Sequence, residues 1–298
     1  TRYNFIAGAI GIVAALLVTA TTVVMSRKYP EASSVALAHS VPFLTAASAL
    51  RLSQSHWDTA GWGWTGLGLL IGALAVLTLP KRYRISIAAP LVVGTVLAAT
   101  GLLVRLGQLS QAGISAILFA LIIVLLQVAP WIALAHIPVR ILDADTTEQI
   151  PAKGITDQVS NSFVFVVALR SGGAVAAIFL TISLMTAPEM RSVSLPLTLL
   201  MLGAVSLVLQ TRSIRARVEV LLGALSGLIV ILVATVLGAY ADPRTMPWLT
   251  LSAIATALVL VVTNVVGPRA RPHLTRIADT VSVLSLFVLL PLAVYLWS

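Results

Sequence analysis

The chain has 298 residues, 59% of them hydrophobic and 10% charged, with 19 Lys and Arg against 10 Asp and Glu for a net charge of +9. A soluble fold could not hide that much apolar surface, and the absence of cysteine excludes disulfides, thiolate chemistry and Cys-ligated metals. The positive charge is spread as two or three residues per polar link, which suits anionic lipid headgroups and excludes a nucleic-acid groove.

A bilayer core of roughly 30 Å needs about 20 apolar residues per helix. Taken in order, the sequence predicts spans at 5–25, 32–50, 63–79, 85–104, 114–134, 163–185, 193–209, 220–241, 248–266 and 277–296. The fold class is therefore an all-α integral membrane protein, a bundle of about ten transmembrane helices. The first span carries Gly8 and Gly11, and the second carries His39 just before Pro42. In the third, Gly68 and Gly72 share one face at a spacing of four; Gly223 and Gly227 do the same in the eighth. Small residues at that spacing are expected at helix contacts, because lipid gives apolar helices no reason to associate other than close backbone approach. Trp57, Trp62, Trp64 and Trp248 lie beside span ends, where amphipathic rings suit the headgroup layer.

Between the fifth and sixth spans lies the longest polar interval, with Pro138, Asp143, Asp145, Glu148, Pro151 and Gly154. It divides the chain into a first half at 1–136, a linker with little fixed structure at 137–161, and a second half at 162–298. Arg170 sits awkwardly inside the sixth apolar stretch. Since a charge at mid-membrane costs at least about 2.5–3.5 kcal/mol, the span is expected to begin near Arg170, with 163–169 at the inner interface.

The links after spans one, three, five, seven and nine hold 13 of the basic residues, whereas the opposite links and the N-terminus hold five: Arg2, Arg51, Arg105, Arg191 and Arg244. The positive-inside rule makes the richer set cytoplasmic and places both ends outside. Because the chain opens on Thr1 without a signal peptide, it is expected to be a fragment that a further span precedes.

Chemistry is sparse. His39, His56, His136 and His273 fall in separate segments without metal-pair spacing, and neither a nucleophile elbow nor a phosphate loop is present. The acidic residues all fall in links or within about a turn of a span end, so an ion-coupled pump lacks its mid-membrane carboxylate. His39 and, after it, Gln127 near Pro130 are the intramembrane polar candidates; each reads more simply as a side chain bonded to a neighbouring helix carbonyl beside a proline. No catalytic residue, cofactor or metal site is predicted.

Two basic corners stand out at the cytoplasmic starts of spans. Arg212, Arg215 and Arg217 precede Glu219, and Arg269, Arg271 and Arg276 precede Asp279. An acid in the first helical turn complements the positive helix end, and the arginines offer either a lipid anchor or a dock for an acidic cytoplasmic partner.

The run Arg212-Ser213-Ile214-Arg215-Ala216-Arg217-Val218-Glu219-Val220 resembles the cytoplasmic corner of EccD, the polytopic subunit of actinobacterial type VII (ESX) secretion systems. Arg276-Ile277-Ala278-Asp279, leading to Leu290-Pro291-Leu292-Ala293-Val294-Tyr295-Leu296-Trp297, is similar to that family's closing helix. The resemblance implies eleven spans behind a small ubiquitin-like cytoplasmic domain, of which the first span and the domain are missing here. It also implies a non-catalytic scaffold in the bacterial inner membrane, with two EccD copies enclosing a lipid-lined space beside the ATPase EccC, the single-span EccB and EccE. The competing expectation from span count and the five-plus-five division is a secondary transporter for a small metabolite, built around His39 and Pro42.

Overall fold

The computed structural model describes residues 2–28, 32–53, 58–77, 87–135, 152–190, 192–210, 217–247, 250, 254 and 271–297. These residues form nine α-helices and one 3-10 turn: α1 Arg2–Lys28, α2 Ala32–Leu52, α3 Thr59–Val76, α4 Ala88–Gly107, α5 Gln111–Ala135, α6 Ala152–Met185, α7 Ser194–Gln210, α8 Arg217–Ala241, the 3-10 turn Pro243–Thr245, and α9 Arg271–Trp297. Among the described residues, seven helices are long and apolar enough to cross a membrane, in α1, α3, α4, α5, α6, α8 and α9.

Ten spans are thus not all seen. The ninth, at 248–266, lies outside the described residues except for Thr250 and Ile254. The second forms α2, whose apolar content is diluted by serines, threonines and His39. At 17 residues α7 is the short one, about 26 Å long. The sixth span differs more. Helix α6 begins at Ala152, directly after Pro151, and runs unbroken through Arg170 to Met185. Its 34 residues reach about 51 Å, well beyond a 30 Å core, so the last ten positions of the expected 137–161 linker are helical. Hydropathy marks its membrane portion from Ser162, earlier than the expected start near Arg170.

The helices hold their polar groups internally, as a bilayer interior demands. Hydroxyls of Thr22, Ser48, Thr65, Thr100 and Thr181 each donate to the carbonyl four residues earlier, at 2.6–2.8 Å. Asp58 starts α3 by accepting from the Gly61 amide at 2.9 Å. Helix α4 ends on Gln108, held left-handed at φ 50°.

The chain divides into two compact units, one of residues 1–108 and 128–173, the other of 109–127 and 174–298. In the first, α1 packs on α2, α2 on α3 and α3 on α4. Ala38, Val41, Ala73, Val76 and Ile87 form one of its buried clusters. In the second, α7 packs against both α8 and α9, and Leu199, Leu200 and Ala204 on it are wholly buried. Phe119 and Ile123 of α5 share that burial.

Candidate functional site

The contacts between helices are made by backbone as much as by side chains. On α3, Gly68 and Gly72 face α2: a Cβ on Gly68 would lie 2.6 Å from the Thr45 carbonyl oxygen and 2.7 Å from the Ala46 Cα, and one on Gly72 would lie 2.5 Å from the Pro42 Cα. A second row on the same helix faces α4. There Gly66 meets the backbone of Gly94 and Ala98, and Gly63 meets Gly101. Sequence reasoning missed this row, because its partners sit on another helix, α4, and spacing along α3 alone cannot show them. In the second unit Gly227 of α8 meets the Ala204 carbonyl and Val208 of α7. Its companion Gly223 accepts from the Ser226 hydroxyl at 3.0 Å.

The basic corners are only partly visible. Arg212, Arg215 and Arg269 lie outside the described residues. Arg217 and Glu219 fall in the first turn of α8, and Arg271, Arg276 and Asp279 in the opening turns of α9; the side chains of these five are outside the description, as are those of the expected cytoplasmic acids Asp143, Asp145 and Glu148.

The intramembrane polar groups are engaged with protein. The Gln127 amide donates to the Ser282 hydroxyl of α9 at 3.1 Å, where a backbone carbonyl was expected as its partner. His39 is half-buried on α2, three residues before Pro42. Arg170 is buried at 6% exposure within α6, two residues from Gly172, whose missing side chain lets Ala89 of α4 approach. Among the described residues, no three His, Asp or Glu side chains gather as metal ligands would.

A polar cluster made by residues far apart in the chain joins α5 to α6. The Gln111 amide donates to the Ser183 carbonyl at 2.8 Å, and the Ser115 and Ser183 hydroxyls lie 2.8 Å apart. All three residues are buried. The pairs are 72 and 68 positions apart in sequence; the only local sign was the four-residue spacing of Gln111 and Ser115. Such bonds in lipid are worth about 0.6 kcal/mol on average and up to about 1.7.

Two clefts flank the link at 186–193. One, of about 710 Å³, is bounded by that link and by Leu237, Tyr240 and Asp242 at the end of α8. The other, of about 410 Å³, is bounded by Glu189, Ser110 at the start of α5, and Tyr295 and Trp297 at the end of α9. Met190 and Ser192 line both.

A family model described as the EccD-like transmembrane domain matches residues 2–298. The chain is similar in structure to a chain of protomer 1 of the ESX-3 core complex, with a TM-score of 0.73 at 14% identity, covering 97% of this chain and 68% of that one. It is also similar to a chain of a MycP5-free ESX-5 inner membrane complex in its state II, with a TM-score of 0.65 at 15% identity, covering 88% of this chain and 64% of that one. This chain therefore spans about two thirds of the length of each. No curated protein matches it.

Proposed function

The chain belongs to the EccD family, the multi-span membrane component of ESX type VII secretion complexes, and from that premise we propose that it is a non-catalytic scaffold subunit of such a complex. In this reading ten spans cross the inner membrane, the links after spans one, three, five, seven and nine face the cytoplasm, and the basic corners at Arg212–Arg217 and Arg269–Arg276 meet an acidic cytoplasmic partner. A second copy of the chain closes a lipid-lined space, with the ATPase EccC, the single-span EccB and EccE around it.

The observation that carries the reading is the way the helices meet. Gly63, Gly66, Gly68 and Gly72 bring the backbones of α2, α3 and α4 together, which favours a rigid packed array over helices that rock against each other. The described acids support it too. Asp58 caps α3, and Glu189 and Asp242 lie in links, so none of these three sits where a coupling ion would cross.

The test is genetic. In cells carrying the complete secretion system, removing this chain should abolish export of the system's substrates, and restoring the wild-type chain should recover it. Unchanged export, with loss of uptake of a small metabolite instead, would replace the scaffold by the transporter reading.

A further inference from the structure

The cleft of about 710 Å³ beside the end of α8 is of the size that holds small molecules, and its surroundings say which kind. Helix α8 is exposed along one line, Leu221, Leu225, Ile229, Leu232, Val236 and Tyr240, at spacings of three and four. Every member is bulky. Helices that associate in lipid need small residues at the contact, and on α8 the small residue Gly227 is turned instead onto α7. The exposed line therefore suits acyl chains rather than a partner helix.

From Tyr240 back to Ile229 is eleven residues, about 16 Å along the helix, which matches the half-thickness of a hydrocarbon core of roughly 30 Å. At its upper end the line runs into the cleft, since Tyr240 belongs to both and is 90% exposed. Among the described lining residues the only charged one is Asp242. Its carboxylate is oriented by the Arg244 amide, which donates to Oδ1 at 3.0 Å. Thr186 spends its hydroxyl proton on the Ile182 carbonyl at 2.8 Å, so toward a ligand it can only accept. Ser192 and the Tyr240 hydroxyl complete the polar lining. Such an acceptor-rich site with a fixed carboxylate suits an ammonium group.

We infer that this cleft holds the headgroup of one amine-bearing, zwitterionic phospholipid, with an acyl chain lying along the α8 line from Val236 to Ile229. The inference holds whichever leaflet the cleft faces, and it is independent of the scaffold reading.

The experiment places the purified full chain in nanodiscs containing equal amounts of phosphatidylethanolamine and phosphatidylglycerol, and counts the lipids retained on release by native mass spectrometry. One phosphatidylethanolamine should remain in clear excess over phosphatidylglycerol. Asp242→Asn keeps an oxygen to accept from the Arg244 amide and removes the charge, so it should lower that preference about three- to fivefold, the range of an exposed ion pair. Glu189→Gln, in the neighbouring cleft, should leave the preference as it is. Leu232→Ser with Val236→Ser should reduce retention of both lipids. Equal retention of the two lipids by the wild-type chain, no retained lipid, or an unchanged preference in Asp242→Asn would each overturn the assignment.

Discussion

Gly66 of α3 lies so close to Ala98 of α4 that a methyl group on the glycine would strike the alanine's backbone nitrogen. Neither atom can turn away, because both belong to helical backbone. The two helices approach to this distance only because Gly66 has no side chain, and Gly94 and Gly101 extend the same contact along α4.

Gly66→Leu should therefore force α3 and α4 apart and cost at least about 1–3 kcal/mol, the usual penalty of overpacking. Leu74→Ala, at an exposed position of the same helix, should cost much less. Thermal unfolding of the purified chain in one detergent compares them. Equal midpoints would remove the tight α3 to α4 contact from the account.

The buried cluster between α5 and α6 gives a second prediction. Gln111→Ala removes the donor to the Ser183 carbonyl and should cost about 1–3 kcal/mol through the unsatisfied group left behind. Ser115→Ala, which removes one hydroxyl of a pair, should cost less. A double-mutant cycle between Ser115 and Ser183, whose hydroxyls lie 2.8 Å apart, should return a coupling near 0.6 kcal/mol. A coupling of zero would mean that the two hydroxyls are not bonded across the helices.

How much of this the sequence shows follows from the range of each signal. Apolar runs the length of a bilayer report on themselves, so helical membrane class was legible from α1, α3, α4, α5, α8 and α9. The four-residue spacing of Gly68 and Gly72 was equally legible, being a property of one helix. The row of Gly63 and Gly66 against Gly94 and Gly101 was not, because register between helices is written in neither alone. Nor was the bond from Gln111 to Ser183, which closes over 72 positions. The continuity of α6 escaped for another reason: polar residues at 152–161 read as linker by hydropathy, whereas helix formation depends on backbone propensity, and between Ala152 and Arg170 there is no proline and Gly154 is the single glycine before the glycines that follow Ser171. The family could be named from the two basic corners and the closing helix, even though the side chains of the corners' arginines and acids lie outside the described residues.

Orientation has a direct test, aided by a chain that has no cysteine of its own. Single cysteines at Ser213 or Pro268 should be shielded from an impermeant thiol reagent applied outside the cell, and those at Thr59 or Thr245 should react. Labelling at Ser213 from outside would reverse the proposed topology.

The corner before α8 should act collectively. One exposed ion pair is worth about 0–1 kcal/mol, so a single substitution among Arg212, Arg215 and Arg217 should be tolerated. Changing all three to Gln should weaken retention of a cytoplasmic partner more at low salt than at high, because charges this close add within a Debye length of about 8 Å at physiological ionic strength and are screened out at high salt. Orientation should persist, since the remaining links keep their basic residues. Full retention at both salt levels would leave the corner as a lipid anchor.

The central claim is that this chain works as one subunit among several. Extraction of the tagged chain from its native membrane in mild detergent, followed by mass spectrometry of what elutes with it, tests that most directly. The account predicts co-elution in constant proportion with an ATPase subunit and a single-span membrane subunit. Elution alone, or only as a dimer with itself, under conditions where its own fold survives would contradict it.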